Sequence, residues 1–170
     1  MCANNLSYQY FINIMKDIYP VFPLPSDEQF KISIDFLEPK SSALPVVEFC
    51  EYVHDNKINW MQCSWENDVL PLKYDTTILP YYIFSTIFLR YYFPTCLNLT
   101  IKYFLGDYYN DEMGNIDSFV NHTIDSIIDN YDKLNIRERE LMKIILNLID
   151  NNTLYDYKDE SIKLKHVVLG

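Results

Sequence analysis

The 170-residue chain has a net charge of −10, is 49% apolar and 16% aromatic, and holds only three glycines, Gly106, Gly114 and Gly170. That length suffices for one core, and the apolar fraction argues against disorder. The charge opposes binding to nucleic acid or an anionic membrane, since both need cations against phosphate. Scarce glycine leaves no phosphate loop or dinucleotide fingerprint and favours helices over turn-rich sheet.

Residues 5–19 place Leu6, Tyr10, Ile14 and Ile18 at steps of four, one apolar helical stripe that Pro20, Pro23 and Pro25 end. Residues 26–39 send two signals. SDEQ resembles a capping box with Ser26 as cap, yet Phe30, Ile32, Ile34 and Phe36 alternate with polar residues at the period of a strand. The alternation favours a short strand or irregular segment. Residues 45–56 predict a helix with Val46, Phe49, Cys50 and Val53 on its inner side, and residues 57–73 hold Trp60 and Trp65 in an irregular or short helical setting.

The most apolar stretch runs from Ile78 to Leu105, and Arg90 is its only charge before Lys102. It is long enough to span a membrane, but Arg90, Pro80, Pro94 and the recurring tyrosines favour a buried helical hairpin. Pro80 opens a helix with Ile83, Phe84, Ile87, Phe88 and Tyr91 on one face; Pro94 breaks it and starts a second helix, capped by Gly106. Residues 107–115 read as a loop. Ile116, Val120, Ile124, Ile127, Tyr131 and Leu134 mark the next helix. Asn135 and Glu138 form a capping box before the stripe of Leu141, Ile144, Ile145, Leu148 and Ile149. Residues 160–168 have strand-like spacing. The expected fold is mainly α: a single-domain multi-helix bundle over 1–170 around a buried 78–105 helical pair, with one short β element allowed and a tail at 153–170 that either packs as a last element or dangles.

No catalytic motif is present. Cys50, His54 and Cys63 lack a fourth zinc ligand, and DYYNDEMGNID does not match an EF-hand loop. His122 lies among Asp117, Asp125 and Ser126, but no nucleophile sits in a recognisable elbow. The scattered cysteines Cys2, Cys50, Cys63 and Cys96 read as reduced thiols of a cytoplasmic protein, and no signal peptide is evident. The expectation is a binding protein without enzymatic activity, cofactor or metal.

The strongest asymmetry follows the apolar stretch. Residues 103–132 carry no Lys or Arg and supply −7 of the −10, against −4 from 1–102 and +1 from 133–170. The acids are Asp107, Asp111, Glu112, Asp117, Asp125, Asp129 and Asp132, with Tyr108 and Tyr109 beside them. Aromatic rings give contact area and carboxylates pair with Arg or Lys, so these nine residues form the candidate partner-binding surface. A plain solvated acidic face is the competing reading.

The run around Trp60, Leu70 to Leu72, Arg90-Tyr91-Tyr92-Phe93-Pro94 and the helix near Leu141–Ile149 resembles a group of small uncharacterised bacterial helical domains. That resemblance implies an all-helical core. The acidic, Tyr- and Asn-rich character is similar to immunity proteins of contact-dependent growth inhibition systems. This second resemblance implies a partner: a cognate toxin domain, commonly a basic nuclease, bound and neutralised. The same profile is similar to helical host-interaction proteins of large DNA viruses, which implies an adaptor that grips a host protein through an apolar groove.

Overall fold

The computed structural model describes residues 7–64, 68, 76–106, 113–152 and 157–170. Its helices are α1 (Tyr8–Ile18), α2 (Asp27–Leu37), α3 (Leu44–Asp55), α4 (Leu79–Tyr82), α5 (Ile87–Tyr91), α6 (Phe93–Phe104), α7 (Met113–Asp129), α8 (Ile136–Asp150) and α9 (Lys158–Leu169). No strand occurs among the described residues, and none of their helices is long and apolar enough to cross a membrane. The fold is a mainly-α multi-helix bundle.

Helix α6 is the central post. Every residue from Phe93 to Phe104 except Lys102 is buried. Each fully buried large apolar side chain contributes about 1.5–3 kcal/mol. The polar groups that go in with them are satisfied, as burial requires. Thr95 Oγ1 donates to the Trp60 carbonyl (3.1 Å), Thr100 Oγ1 to the Cys96 carbonyl (2.9 Å), and Tyr8 Oη to Asn98 Oδ1 (2.7 Å). Pro94 starts this helix, where its missing N–H costs nothing, and Gly106 follows it at φ +76° as a left-handed cap. Trp60 packs against the same core, and its Nε1–H donates to the Pro20 carbonyl (3.0 Å), which pins the proline segment after α1.

Four expectations are corrected. Residues 27–37 are helical: Ser26 Oγ accepts from Gln29 N–H, and the Gln29 side chain accepts from Ser26 N–H. The capping box prevails, and the alternating apolar residues divide between two faces. Phe30 stacks on His54 with centroids 4.0 Å apart, whereas Ile32 and Phe36 point outward. On α1 the buried side is Phe11, Ile12 and Met15; Tyr10 is exposed, Ile14 and Ile18 are half-buried, and Leu6 lies outside the described residues.

The first leg of the expected hairpin is broken between α4 and α5. Thr86 caps α5 by accepting from Leu89 N–H (3.2 Å), and Ser33 Oγ of α2 donates to the Thr86 hydroxyl (2.7 Å). The break turns Ile87 outward, to 71% exposure. The tail forms α9, which buries Ser161, Leu164 and Val168 at helical spacing; Lys165 pairs with Asp150 of α8 at 2.7 Å. Lys158–Leu169 is thus helical although its spacing is strand-like, and it packs against α7 and α8.

The first charge of the apolar stretch is anchored by α8. Arg90 pairs with Glu138, which is 3% exposed, and its guanidinium lies 4.5 Å from the Phe93 ring centroid and 4.9 Å from that of Phe84. Glu138 gives its other oxygen to Asn135 N–H (2.9 Å), completing the capping box of α8. Burial, then the neighbouring Glu138 carboxylate, holds the Tyr19 phenol well above its usual range.

Candidate functional site

The candidate partner-binding residues divide into three groups. Asp107, Tyr108, Tyr109, Asp111 and Glu112 lie outside the described residues. Asp117 is half-buried and turned into the protein, where Tyr103 Oη donates to its Oδ1 (2.7 Å) and Tyr157 Oη donates to the same oxygen. Burial, then the bond to Asp117, pushes the Tyr157 phenol far up. Asp117 thus joins α6, α7 and the start of α9, and it is removed from the candidate surface.

Asp125, Asp129 and Asp132 remain. Asp125 is half-buried, and Asp129 and Asp132 are exposed; none forms an ion pair among the described residues. Helical geometry of 100° per residue puts His122, Asp125 and Asp129 within about 60° of one another around α7, with Asp117 about 80° from Asp125. Asp132 follows in the 3-10 turn Tyr131–Lys133. The opposite side of α7 carries Ile116, Phe119, Val120, Ile124 and Ile127 into the core. Ser126 Oγ also donates to the Pro80 carbonyl (2.6 Å), which locks α4 against α7.

That docking brings in Tyr81, a residue the sequence did not single out. Tyr81 is 50% exposed, and its ring lies against the His122 imidazole with centroids 4.4 Å apart and planes tilted by 36°. Partial desolvation, then the charges of Asp125 and Asp129, raises its phenol above the ordinary value near 10. His122 Nδ1 is 2.9 Å from the Thr77 carbonyl oxygen, so Nδ1 carries the proton and donates. The imidazole makes no hydrogen bond to Asp125 among the described residues, so the suspected His–carboxylate pair does not form.

The result is an aromatic pair bordered by unpaired carboxylates. A guanidinium or ammonium group can lie over the Tyr81 ring and reach a carboxylate at the same time. This is chemistry suited to recognising a cation. Tyr81 carried no usable signal in the sequence, because only the α4–α7 packing chooses it over Tyr82.

The other cluster considered for chemistry also resolves. His54 lies 3.0 Å from Asp27 through Nε2 and 3.0 Å from Asp55 through Nδ1, clasping α2 to α3. Cys50, Cys63 and Cys96 are buried free thiols, and burial pushes their pKa values up. No group of three or more metal-ligating side chains is assembled among the described residues.

No protein-family model, curated protein or solved structure matches the chain.

Proposed function

We propose that this protein is a stoichiometric inhibitor that binds a basic protein partner through the α7 acidic face: an immunity protein neutralising a cognate toxin, with a basic nuclease as the toxin class. The observation that carries the reading is the pair of carboxylates Asp125 and Asp129 beside the Tyr81–His122 pair, with Asp132 in the turn that follows, none of the three in an ion pair among the described residues. Their charge speeds encounter with a cationic cleft, and the aromatic pair receives an Arg or Lys. Covering that cleft excludes its nucleic acid. On this reading the protein needs no catalysis, cofactor or metal, works in the cytoplasm, and touches neither nucleic acid nor membrane.

The test uses the toxin-like domain encoded by the neighbouring reading frame. Association rates are measured across a salt series for the wild type and for the triple variant Asp125→Asn, Asp129→Asn, Asp132→Asn. The wild-type rate should fall steeply with salt, and the variant should associate about tenfold more slowly while melting at the wild-type temperature. Equal rates for the two proteins would remove the acidic face from the interface.

A second reading, a helical adaptor gripping a host protein through an apolar groove, is favoured by one feature. Between α1 and α8 lies an open hollow of about 580 Å³ walled by Ile14, Ile18, Leu141, Ile144 and the 81%-exposed Ile136, with Asp17, Arg137 and Glu140 also lining it. Binding there would be nearly independent of salt and would be lost in Ile136→Glu.

A further inference from the structure

Tyr81 is fixed in place before any ligand reaches it. Ser126 of α7 is buried, and its Oγ donates to the carbonyl of Pro80, the residue before Tyr81 (2.6 Å). His122 Nδ1 donates to the Thr77 carbonyl (2.9 Å), one turn further back. Both bonds tie the backbone leading into Tyr81 to α7. The His122 imidazole then backs one face of the Tyr81 ring. Half of Tyr81 is exposed, so the other face of its ring is open to solvent. A platform already held in one orientation loses little freedom when something binds on it.

Two carboxylates stand at the side of that platform. Partial desolvation and, after it, the charges of Asp125 and Asp129 act on the Tyr81 phenol, which donates to neither carboxylate among the described residues. Four residues apart on α7, the two acids lie one above the other, with Cβ atoms about 5–6 Å apart. Neither forms an ion pair among the described residues. The cations that follow α7 are engaged elsewhere. Lys133 Nζ donates to Asn130 Oδ1 (2.7 Å), and Arg139 donates to the carbonyls of Leu134 and Asp132 (2.9 and 3.0 Å). Asp132, next to Lys133 in the chain, takes no part.

A group bound here must lay a face on Tyr81 and send donors sideways to the acids. A guanidinium does both at once. It is planar, its N–H bonds lie in that plane, and stacking leaves all of them free. An ammonium is a compact, strongly hydrated charge, and over the ring it must shed water and turn N–H bonds toward the ring face. We propose, resting on the acidic-face reading for where a partner docks, that this site selects an arginine side chain over a lysine. The guanidinium stacks on the open face of Tyr81 and donates to Asp125 and Asp129, and Ser126 is the positioning residue that sets the ring.

The test uses the full chain and two small monocations, N-acetyl-arginine amide and N-acetyl-lysine amide, at one ionic strength. In NMR titrations the arginine amide should move the ring signals of Tyr81 and His122 and the side-chain signals of Asp125 and Asp129, and should bind about threefold more tightly than the lysine amide. Tyr81→Leu, at a half-exposed position, should erase the preference by weakening the arginine amide alone. Ser126→Ala should bring the ratio of the two affinities toward one while the lysine amide binds as before; a purely structural Ser126 would lower stability and leave the ratio alone. Equal affinities in the wild type, a preference that survives Tyr81→Leu, or a ratio untouched by Ser126→Ala would each overturn the proposal. Neither amide involves a toxin domain, so the two readings fail separately. Salt-steered association with equal affinities for the amides would sink the arginine site alone, and an arginine preference with a toxin domain that ignores the α7 acids would sink the inhibitor reading alone.

Discussion

Neutralising Glu138 should cost more stability than any other single charge change among the described ion pairs. Glu138 is 3% exposed and serves two elements: one oxygen holds Arg90 of α5, and the other accepts the Asn135 N–H that opens α8. Glu138→Gln keeps the volume and a cap acceptor and removes the charge facing Arg90. Breaking a buried pair from one side costs about 3–5 kcal/mol, because the surviving ion stays desolvated. The Arg90 side chain is 26% exposed and rests on two aromatic rings, which places the loss near the lower end, about 3 kcal/mol. For a domain of this length that is a melting-temperature drop of about 6–12 °C. Glu138→Ala should lose about 1 kcal/mol more, through the cap.

Urea unfolding followed by tryptophan fluorescence reads the effect, with Arg90→Met and the double variant Arg90→Met, Glu138→Gln closing a cycle. The coupling energy should be about 2 kcal/mol, since the double variant leaves no unpaired ion. A loss under about 1 kcal/mol for Glu138→Gln, with coupling near zero, would refute the reasoning. Solvent and the rings alone would then hold Arg90, and α8 would not anchor the apolar stretch.

Asp117→Asn should destabilise the fold by about 1–2 kcal/mol, because it takes a charged acceptor from two buried phenols; the urea midpoint should fall while association with a cationic partner keeps its rate. Slower association at unchanged stability would return Asp117 to the binding face. Burial opposes ionisation of Asp150, but the hydrogen bonds from Lys165 and Ser161 outweigh it and hold its carboxyl below the usual range. A depressed folded pKa contributes stability that is present above the unfolded value, near 3.9, and is lost as pH falls through the folded one. Lys165→Met should therefore be less stable than the wild type by under about 1 kcal/mol at neutral pH. That gap should close as denaturation is repeated from about pH 5 down to about pH 2. A gap that widens on acidification would have the wrong sign.

Which parts of the fold the sequence disclosed depended on whether the signal was local. The Asn135–Glu138 box, Pro94 and Gly106 set backbone conformation within a few residues, and all three act as their chemistry requires. The strand reading of 26–39 failed for a physical reason. Period-two alternation assumes a single buried face, but a helix with apolar residues on both sides gives the same pattern. Ile32 and Phe36 are the residues that produced the error, and they are also the ones exposed on the outer face of α2. The split at Thr86 has a local part, its hydroxyl accepting from Leu89 N–H, and a distant part, the bond from Ser33 more than fifty residues away, which the sequence could not display.

Charge was legible in the candidate site, but direction was not. Counting acids between 103 and 132 treats Asp117 and Asp125 alike. A helical wheel separates them by about 80°, enough to send one toward Tyr103 and Tyr157 and leave the other beside Tyr81. The wheel was available before any coordinates; the phenols that capture Asp117 were not, because Tyr157 reaches it only after α9 docks. A docked α9 thus has a consequence beyond stability. It removes one carboxylate from solvent and narrows the described anionic face to the C-terminal half of α7 and the turn that follows. A partner that reads Asp125 and Asp129 therefore meets Tyr81 of α4 beside them.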